Sequence, residues 1–88
     1  MVESEQEIAE RFQRGDQDAF AVLYDAYVKK IYAFIFFRIH HKETAEDLTS
    51  QVFLKLFEHA ASYDRGKGSF HAWLYRIARN TLDRKSVV

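Results

Sequence analysis

The sequence predicts an all-α fold, a compact bundle of about four helices. The 88 residues include no proline, which permits long uninterrupted helices. Hydrophobic residues make up 48% of the chain and aromatic residues 16%, enough for the core of one small domain spanning residues 1–88. Apolar residues recur at helical spacing along most of this length.

The first helix is expected from about Ser4 to Arg14. Ser4 and Glu7 have the spacing of a capping box, and Gly15 follows as a stop. Because this helix is short, we expect its ends to fray.

A second, much longer helix is expected from a cap at Asp16 to about Ile39. Its last turns carry Tyr32, Phe36 and Phe37 outside the inward stripe, so the helix is apolar on more than one side there. Such a helix is either central in the bundle or presents an aromatic patch to a partner. The predicted inward stripe comprises Phe20, Leu23, Tyr24, Tyr27, Ile31, Phe34 and Ile35.

A third helix is predicted to begin at a Thr44 cap, with Asp47 near its N-terminus. Its buried side is expected to comprise Leu48, Val52, Phe53, Leu56 and Phe57. The opposite side is polar and of mixed sign, a pattern that is more often a solvated face than a binding face. This polar surface comprises Glu46, Asp47, Ser50, Gln51, Lys55 and Glu58.

Residues 61–69 are expected to form a loop, and Ser69 is expected to cap a fourth helix from Phe70 to about Arg84. Trp73, Arg76 and Asn80 share one flank of this helix, at the edge of its buried stripe. The predicted stripe comprises Phe70, Trp73, Leu74, Ile77 and Thr81.

The loop and this flank together have the composition of a site for an unpaired base. Gly66 and Gly68 permit positive φ and close backbone approach, and Arg65 and Lys67 offer charge to phosphate. The alternative interpretation is a core tryptophan beside two solvated polar residues and a flexible turn.

Charge is distributed unevenly, although the net charge is zero. Residues 1–47 carry −4 and residues 48–88 carry +4. Such a molecule can offer its basic end to phosphates and its other end to a protein. Alternatively, the two ends simply attract each other.

Several other classes of protein fit the sequence poorly. The chain has no cysteine, its longest apolar run is far below the ~18 residues of a membrane span, and the acidic N-terminus is unlike a signal peptide. We therefore expect a cytoplasmic domain with no membrane insertion.

Catalysis and metal binding are not expected. Di-metal sites in bundles use Glu-x-x-His, whereas here Glu43 is followed three residues later by Glu46, and Glu58 directly by His59. Adjacent His40 and His41 cannot both face one ion from a helix. We expect no enzyme activity and no cofactor.

Three motifs resemble those of a known family. They are Asp16-Gln-Asp-Ala-Phe, Ala45-Glu-Asp-Leu-Thr-Ser-Gln-Val-Phe-Leu-Lys-Leu-Phe and Gly68-Ser-Phe-His-Ala-Trp-Leu-Tyr-Arg-Ile-Ala-Arg-Asn. In this order and spacing, they resemble region two of bacterial sigma factors, particularly the extracytoplasmic-function group, over roughly residues 10–85. The resemblance implies a helical domain that binds the clamp helices of core RNA polymerase and reads the non-template strand of the minus-ten promoter element.

The resemblance also implies roles for individual residues. The loop from Ser62 to Gly68 and the flank of the fourth helix would cradle a flipped base, with Asn80 contacting it and Trp73 supporting the wall. The residues implied to contact phosphates or bases are Arg65, Lys67, Arg76 and Arg79, with Arg84 and Lys85 adding nonspecific attraction. Those implied to bind polymerase are Asp47, Leu48, Gln51, Phe53, Leu54 and Lys55.

The chain departs from the family pattern in three respects. Family members often carry Gln then Glu or Asp where this chain has Ser50 and Gln51, which removes a charge and a long amide from the implied polymerase face. Arg76 and Ile77 lie near positions where primary sigma factors place paired tryptophans for strand melting, which implies a stricter demand on promoter sequence. A second helical domain that reads the minus-thirty-five element is missing, so this chain alone is not expected to start transcription.

The competing hypothesis is a helical interaction module that binds an anti-sigma factor or polymerase without recognising DNA. It has the same fold and agrees with the neutral net charge. Salt-dependent binding of single-stranded DNA that requires Asn80 and Trp73 would distinguish the two hypotheses.

Overall fold

The computed structural model describes residues 3–63 and 68–86, without the side chains of residues 85 and 86. Within these ranges it contains four α-helices, one short 3₁₀ turn and no strand, which confirms the predicted fold class. No helix in the described ranges is both long and apolar enough to cross a membrane. The elements are α1 (Glu5–Gln13), α2 (Gln17–Ile39), α3 (Lys42–Glu58), the 3₁₀ turn (Ala60–Ser62) and α4 (Phe70–Ser86).

Helix α2 is the centre of the bundle, since it packs against α1, α3 and α4. Helix α3 also packs along α4, which closes the core between the three longer helices. The largest side chains that are fully buried come from α2, α3 and α4, and they include Leu23, Ile31, Ile35, Leu48, Leu56, Phe70 and Leu74.

The predicted caps of α1 and α2 are confirmed. Ser4 Oγ accepts a hydrogen bond from the Glu7 backbone N–H at 3.1 Å, and Glu7 accepts one from the Ser4 N–H at 3.3 Å, as in a capping box. Asp16 Oδ1 accepts from the backbone N–H of Asp18 at 2.9 Å and of Ala19 at 3.2 Å. Gly15 has a φ of +96°, a left-handed conformation that glycine adopts without strain.

The prediction that Thr44 caps α3 was wrong. The helix begins at Lys42, and His41 is its N-cap, with Nδ1 accepting from the Thr44 backbone N–H at 3.2 Å. His40 takes a left-handed conformation with φ of 53° and ends α2 by donating its N–H to the Phe36 carbonyl. Two adjacent histidines therefore make the whole turn between the helices.

Two residues that were predicted to be buried are exposed. Tyr24 is 40% exposed and Phe57 is 53% exposed. The Tyr24 ring makes a T-shaped contact with Phe53 at 4.9 Å, and the Phe57 ring makes one with Phe20 at 5.5 Å, between ring centroids. They form the rim of the core, where no other described helix covers their outer faces.

The aromatic residues at the end of α2 lie outside the stripe, as predicted. Phe37 is 72% exposed, while Tyr32 and Phe36 are half-buried and stack on each other at 5.8 Å. Stacking along the helix covers part of the apolar surface that the bundle leaves open.

Helix α1 is attached to α2 by polar contacts near both of its ends. Arg11 Nε donates to Asp16 Oδ2 at 2.9 Å, and Arg11 also pairs with Glu3. The hydrogen bond from Arg11, together with that from the Ala19 N–H, lowers the pKa of Asp16. The Tyr27 hydroxyl donates to the Glu5 carboxylate, and burial followed by this hydrogen bond raises the pKa of Tyr27.

Replacement of Asp16 tests the junction between α1 and α2. Asp16→Ala removes both the cap and the ion pair, so we expect the melting temperature to fall by roughly 4–8 °C. Asp16→Asn keeps a capping oxygen and should cost less, because asparagine is also a good N-cap. Thermal unfolding followed by circular dichroism measures both values, and an unchanged melting temperature for Asp16→Ala would contradict the capping role.

The contribution of the Asp16 charge should depend on pH. Because folding lowers the pKa of this carboxyl, its stabilisation is present above the unfolded pKa, close to 3.8, and is lost as the pH falls through the lower folded value. The difference in melting temperature between the parent and Asp16→Asn should therefore be constant from pH 7 to about 5 and shrink below about pH 4. Asp25→Asn, an exposed substitution on α2, controls for the change in formal charge.

Candidate nucleic-acid groove and partner surface

A groove of about 540 Å³ runs between the C-terminal half of α3, the 3₁₀ turn and α4. It combines an indole, an amide, several cations and one carboxylate along a single surface. Its lining residues are Lys55, His59, Ser62, Trp73, Arg76, Ile77, Asn80, Asp83 and Arg84.

The start of α4 sets which of its side chains face this groove. Gly68 has a φ of +139°, and Ser69 caps the helix, with Oγ accepting from the Ala72 N–H at 3.2 Å. The Ser69 carbonyl then accepts from the Trp73 N–H at 3.1 Å, which begins the helical ladder. Trp73 consequently lies on the same side of α4 as the residues three, four, seven, ten and eleven positions later, which are Arg76, Ile77, Asn80, Asp83 and Arg84.

Trp73 forms a wall of the groove and also packs against the core. It is half-buried, and its ring lies 5.2 Å from that of Tyr63 and 6.1 Å from that of Phe70 between centroids. The predicted alternatives of a core tryptophan and a pocket wall therefore describe two parts of the same side chain. A ring held in this way presents a rigid surface for stacking.

The other residues predicted to contact DNA are divided between two sides of α4. Asn80 and Arg84 line the groove with Trp73, and Arg76 lies between this groove and a smaller depression that Arg79 lines with Ala72 and Tyr75. Arg79 is thus on the other flank from Asn80. Arg65, Lys67 and the side chain of Lys85 lie outside the described residues.

Helix α3 supplies groove residues that were not predicted to lie there. Lys55 was expected on the polymerase face, but its Nζ donates to Thr81 Oγ1 at 3.3 Å, so it lies on the side that faces α4. His59, one turn later, is the C-cap of α3 and also lines the groove. The spacing of four between Lys55 and His59 places both residues on one side of α3, which was the available signal. Neither His59 nor Asp83 was predicted to line the groove.

The outer face of α3 carries part of the predicted polymerase-binding set. Asp47 is exposed, Leu54 is 58% exposed, and Gln51 donates from Nε2 to Asp47 Oδ2 at 2.9 Å. Leu48 and Phe53 are 0% and 3% exposed, so they support this face from the core, and their side chains are not available to contact a partner.

The four histidines have separate places in the structure. His40 and His41 form the turn before α3, and His59 ends that helix. His71 lies beside Tyr27, with its Nδ1 3.4 Å from the hydroxyl, and its ring is 4.5 Å from that of Tyr75. No group of three potential metal-ligating side chains forms among the residues that the structure describes.

The sequence matches one protein family and several characterised members of that family. The family model for Sigma-70 region 2 matches residues 23–85. The chain is 45% identical over 76 residues to the ECF RNA polymerase sigma factor BldN of Streptomyces coelicolor, and 40% identical over 73 residues to SigW of Bacillus subtilis. These alignments cover 86% and 82% of this chain but only 29% and 38% of the relatives, so the chain spans well under half of their length.

The fold is also similar to that of a solved structure. The NMR structure of an engineered region 2 of sigmaE, in complex with GTAAAA, aligns with a TM-score of 0.85 and 34% sequence identity. The alignment covers 99% of this chain and 92% of the other. The family match over most of the helical core, together with this likeness, shows that the chain belongs to the sigma-70 region 2 family, among relatives that are sigma factors of the extracytoplasmic-function type.

Proposed function

We propose that this domain acts in transcription initiation, binding promoter DNA in the groove and core RNA polymerase with the outer face of α3. The groove carries the proposal, since it brings Trp73, Asn80 and Arg84 onto one surface. The names of the relatives support the polymerase partner. The complex of the similar sigmaE region 2 with GTAAAA supports a single-stranded DNA ligand.

The chemistry of the groove suits an unpaired base. The Asn80 side chain carries both an acceptor and two donors, which can pair with the exposed edge of a base. The Trp73 ring offers a stacking surface worth about 1–3 kcal/mol per base. Because flipping a base out of a duplex costs a few kcal/mol, stacking and edge hydrogen bonds together can offset it. In this proposal the groove captures a flipped base of the minus-ten element.

Local charge gives the groove an attraction for phosphate despite the neutral chain. Lys55, Arg76 and Arg84 line it, against one carboxylate from Asp83. At physiological ionic strength, charges beyond about 8 Å are largely screened. The acidic residues of α1 therefore matter less to a bound strand than the cations beside it.

The outer face of α3 has the composition of a small protein interface. Leu54 provides exposed apolar area, and the hydrogen-bonded pair of Asp47 and Gln51 provides a polar border. Phe57, which is 53% exposed, extends the apolar area by helical spacing. Ser50 is also exposed on this helix and contributes only a short hydroxyl.

Base recognition is tested with single-stranded DNA and the intrinsic fluorescence of Trp73, the only tryptophan of the chain. We expect a randomised hexanucleotide pool, and GTAAAA as a defined probe, to quench this fluorescence on binding. Asn80→Ala should lower the affinity for the preferred sequence about tenfold, because hydrogen bonds to the edge of the base are lost. Gln17→Ala, which removes an exposed amide at the start of α2, is the control. Parent protein that binds no sequence at low salt would favour the interaction module without DNA recognition.

Phosphate contacts are tested by the salt dependence of the same titration. Removing one phosphate contact with Arg84→Ala should lower the slope of log affinity against log salt by about 0.7. Arg79→Ala removes the same charge from the other flank of α4 and should change the slope less. Equal changes for both variants would argue against a strand that follows the groove.

Polymerase binding is tested by retention of purified bacterial core RNA polymerase on the immobilised domain. Asp47→Arg reverses a charge at the polar border of the outer face of α3 and should reduce retention about tenfold, because like charges brought together across an interface are costly. Asp25→Arg makes the same change at an exposed position of α2 and should have little effect. Circular dichroism checks the fold of both variants, and equal retention of the two would exclude this face as the main contact.

A further inference from the structure

We propose that α1 is a brace that positions the wall of the groove through Tyr63, with Gln13 as the positioning residue. This inference rests on the proposed function of the groove. It assigns a role in DNA binding to a helix that does not itself line the groove.

Two residues of α1 hold Tyr63 at different points. Gln13 Nε2 donates to the Tyr63 backbone carbonyl at 2.7 Å, and the Tyr63 hydroxyl donates to Gln6 Oε1 at 2.9 Å. One bond therefore fixes the main chain and the other fixes the ring. Tyr63 itself is 3% exposed, so both bonds are at least partly shielded from competing water.

Tyr63 is in turn connected to both sides of the groove. Its ring lies 5.2 Å from the Trp73 ring and 6.1 Å from that of Phe70, between centroids. Its backbone N–H donates to the Ala60 carbonyl at 3.2 Å, which closes the 3₁₀ turn that carries Ser62 into the groove. A shift of Tyr63 would consequently move Ser62 and the stacking wall together.

Helix α1 can serve as a brace because it is fixed to α2 independently of Tyr63. Arg11 pairs with Asp16 at the α1–α2 turn, and Glu5 accepts from the Tyr27 hydroxyl at the other end. Ala9 and Phe12 are buried between these points. The hydrogen bonds between α1 and Tyr63 therefore involve a helix that other contacts already hold in place.

The expected benefit is preorganisation. A groove wall that is already in place does not have to be ordered when a strand binds, so less of the interaction energy is lost. Loss of the Gln13 bond should therefore weaken DNA binding without removing any group that contacts DNA in the proposal.

The test compares Gln13→Met, which lacks a donor but has similar volume, with Gln13→Arg, which restores donors. Gln17→Met and Gln17→Arg, at an exposed nearby position, control for the change in hydrophobicity and charge. For each protein we would measure the emission spectrum of Trp73 without DNA, the affinity for single-stranded GTAAAA well below the melting temperature, and the melting temperature itself.

We expect Gln13→Met to shift the Trp73 emission and to weaken DNA binding about fivefold, the effect of one partly shielded hydrogen bond. Gln13→Arg should restore most of the parent's Trp73 emission and DNA affinity. This recovery should exceed any increase in affinity that the added charge alone gives in Gln17→Arg. A melting temperature that falls without a shift in emission or affinity would overturn the proposal, since α1 would then contribute only stability.

The two proposals can fail separately. If the parent protein does not bind GTAAAA or the randomised pool, the proposed function of the groove fails. The emission of Trp73 in Gln13→Met and Gln13→Arg still reports whether α1 positions the wall. If the parent binds DNA and Gln13→Met binds equally well, the brace fails while the proposed function stands.

Discussion

The buried ridge of α2 is the constraint on which the rest of the structure depends. Its buried residues recur at intervals of four. At about 100° per residue, each step of four advances the ridge by about 40°, so over four steps it turns by about 160° around the helix. This turning ridge allows one helix to pack against α1, α3 and α4. The residues of the ridge are Ala19, Leu23, Tyr27, Ile31 and Ile35.

The same core supports both proposed functional surfaces. Leu48 and Phe53 of α3 are buried in this core, as are Leu74 and Ala78 of α4. Helix α3 contributes to both surfaces, because Lys55 faces α4 while Asp47 faces outward. The two surfaces thus share α3, and a shift of this helix would affect both.

Sequence patterns predicted the helices well wherever a local hydrogen bond determines an end. Ser4, Asp16 and Ser69 each cap a helix through an oxygen of their own side chain, and such caps can be read from residue type and spacing. The start of α3 was misplaced, since it depends on a histidine whose ring nitrogen acts as the acceptor. Histidine is not among the common N-caps, so Thr44 was the better candidate on sequence alone.

The composition of the site was predicted better than its geometry. A helical wheel places Trp73, Arg76 and Asn80 on one flank, which the structure bears out. The wheel has no information about neighbouring helices, and for that reason it left Lys55 on the outer face of α3. It also treated Tyr24 as buried, because a single straight stripe does not represent a ridge that turns around α2.

The distribution of charge bears on selectivity if the groove binds DNA as proposed. A strongly basic domain attracts any nucleic acid through its phosphates, and that attraction is the same for every sequence. Here the net charge is zero, and Lys55, Arg76 and Arg84 are the lysine and arginine residues that line the groove. Affinity must then come largely from the few contacts that depend on the base itself. The groove wall that Trp73 and Tyr63 form matters more in such a protein than in a basic one, since there is little nonspecific attraction to compensate for a misplaced stacking surface.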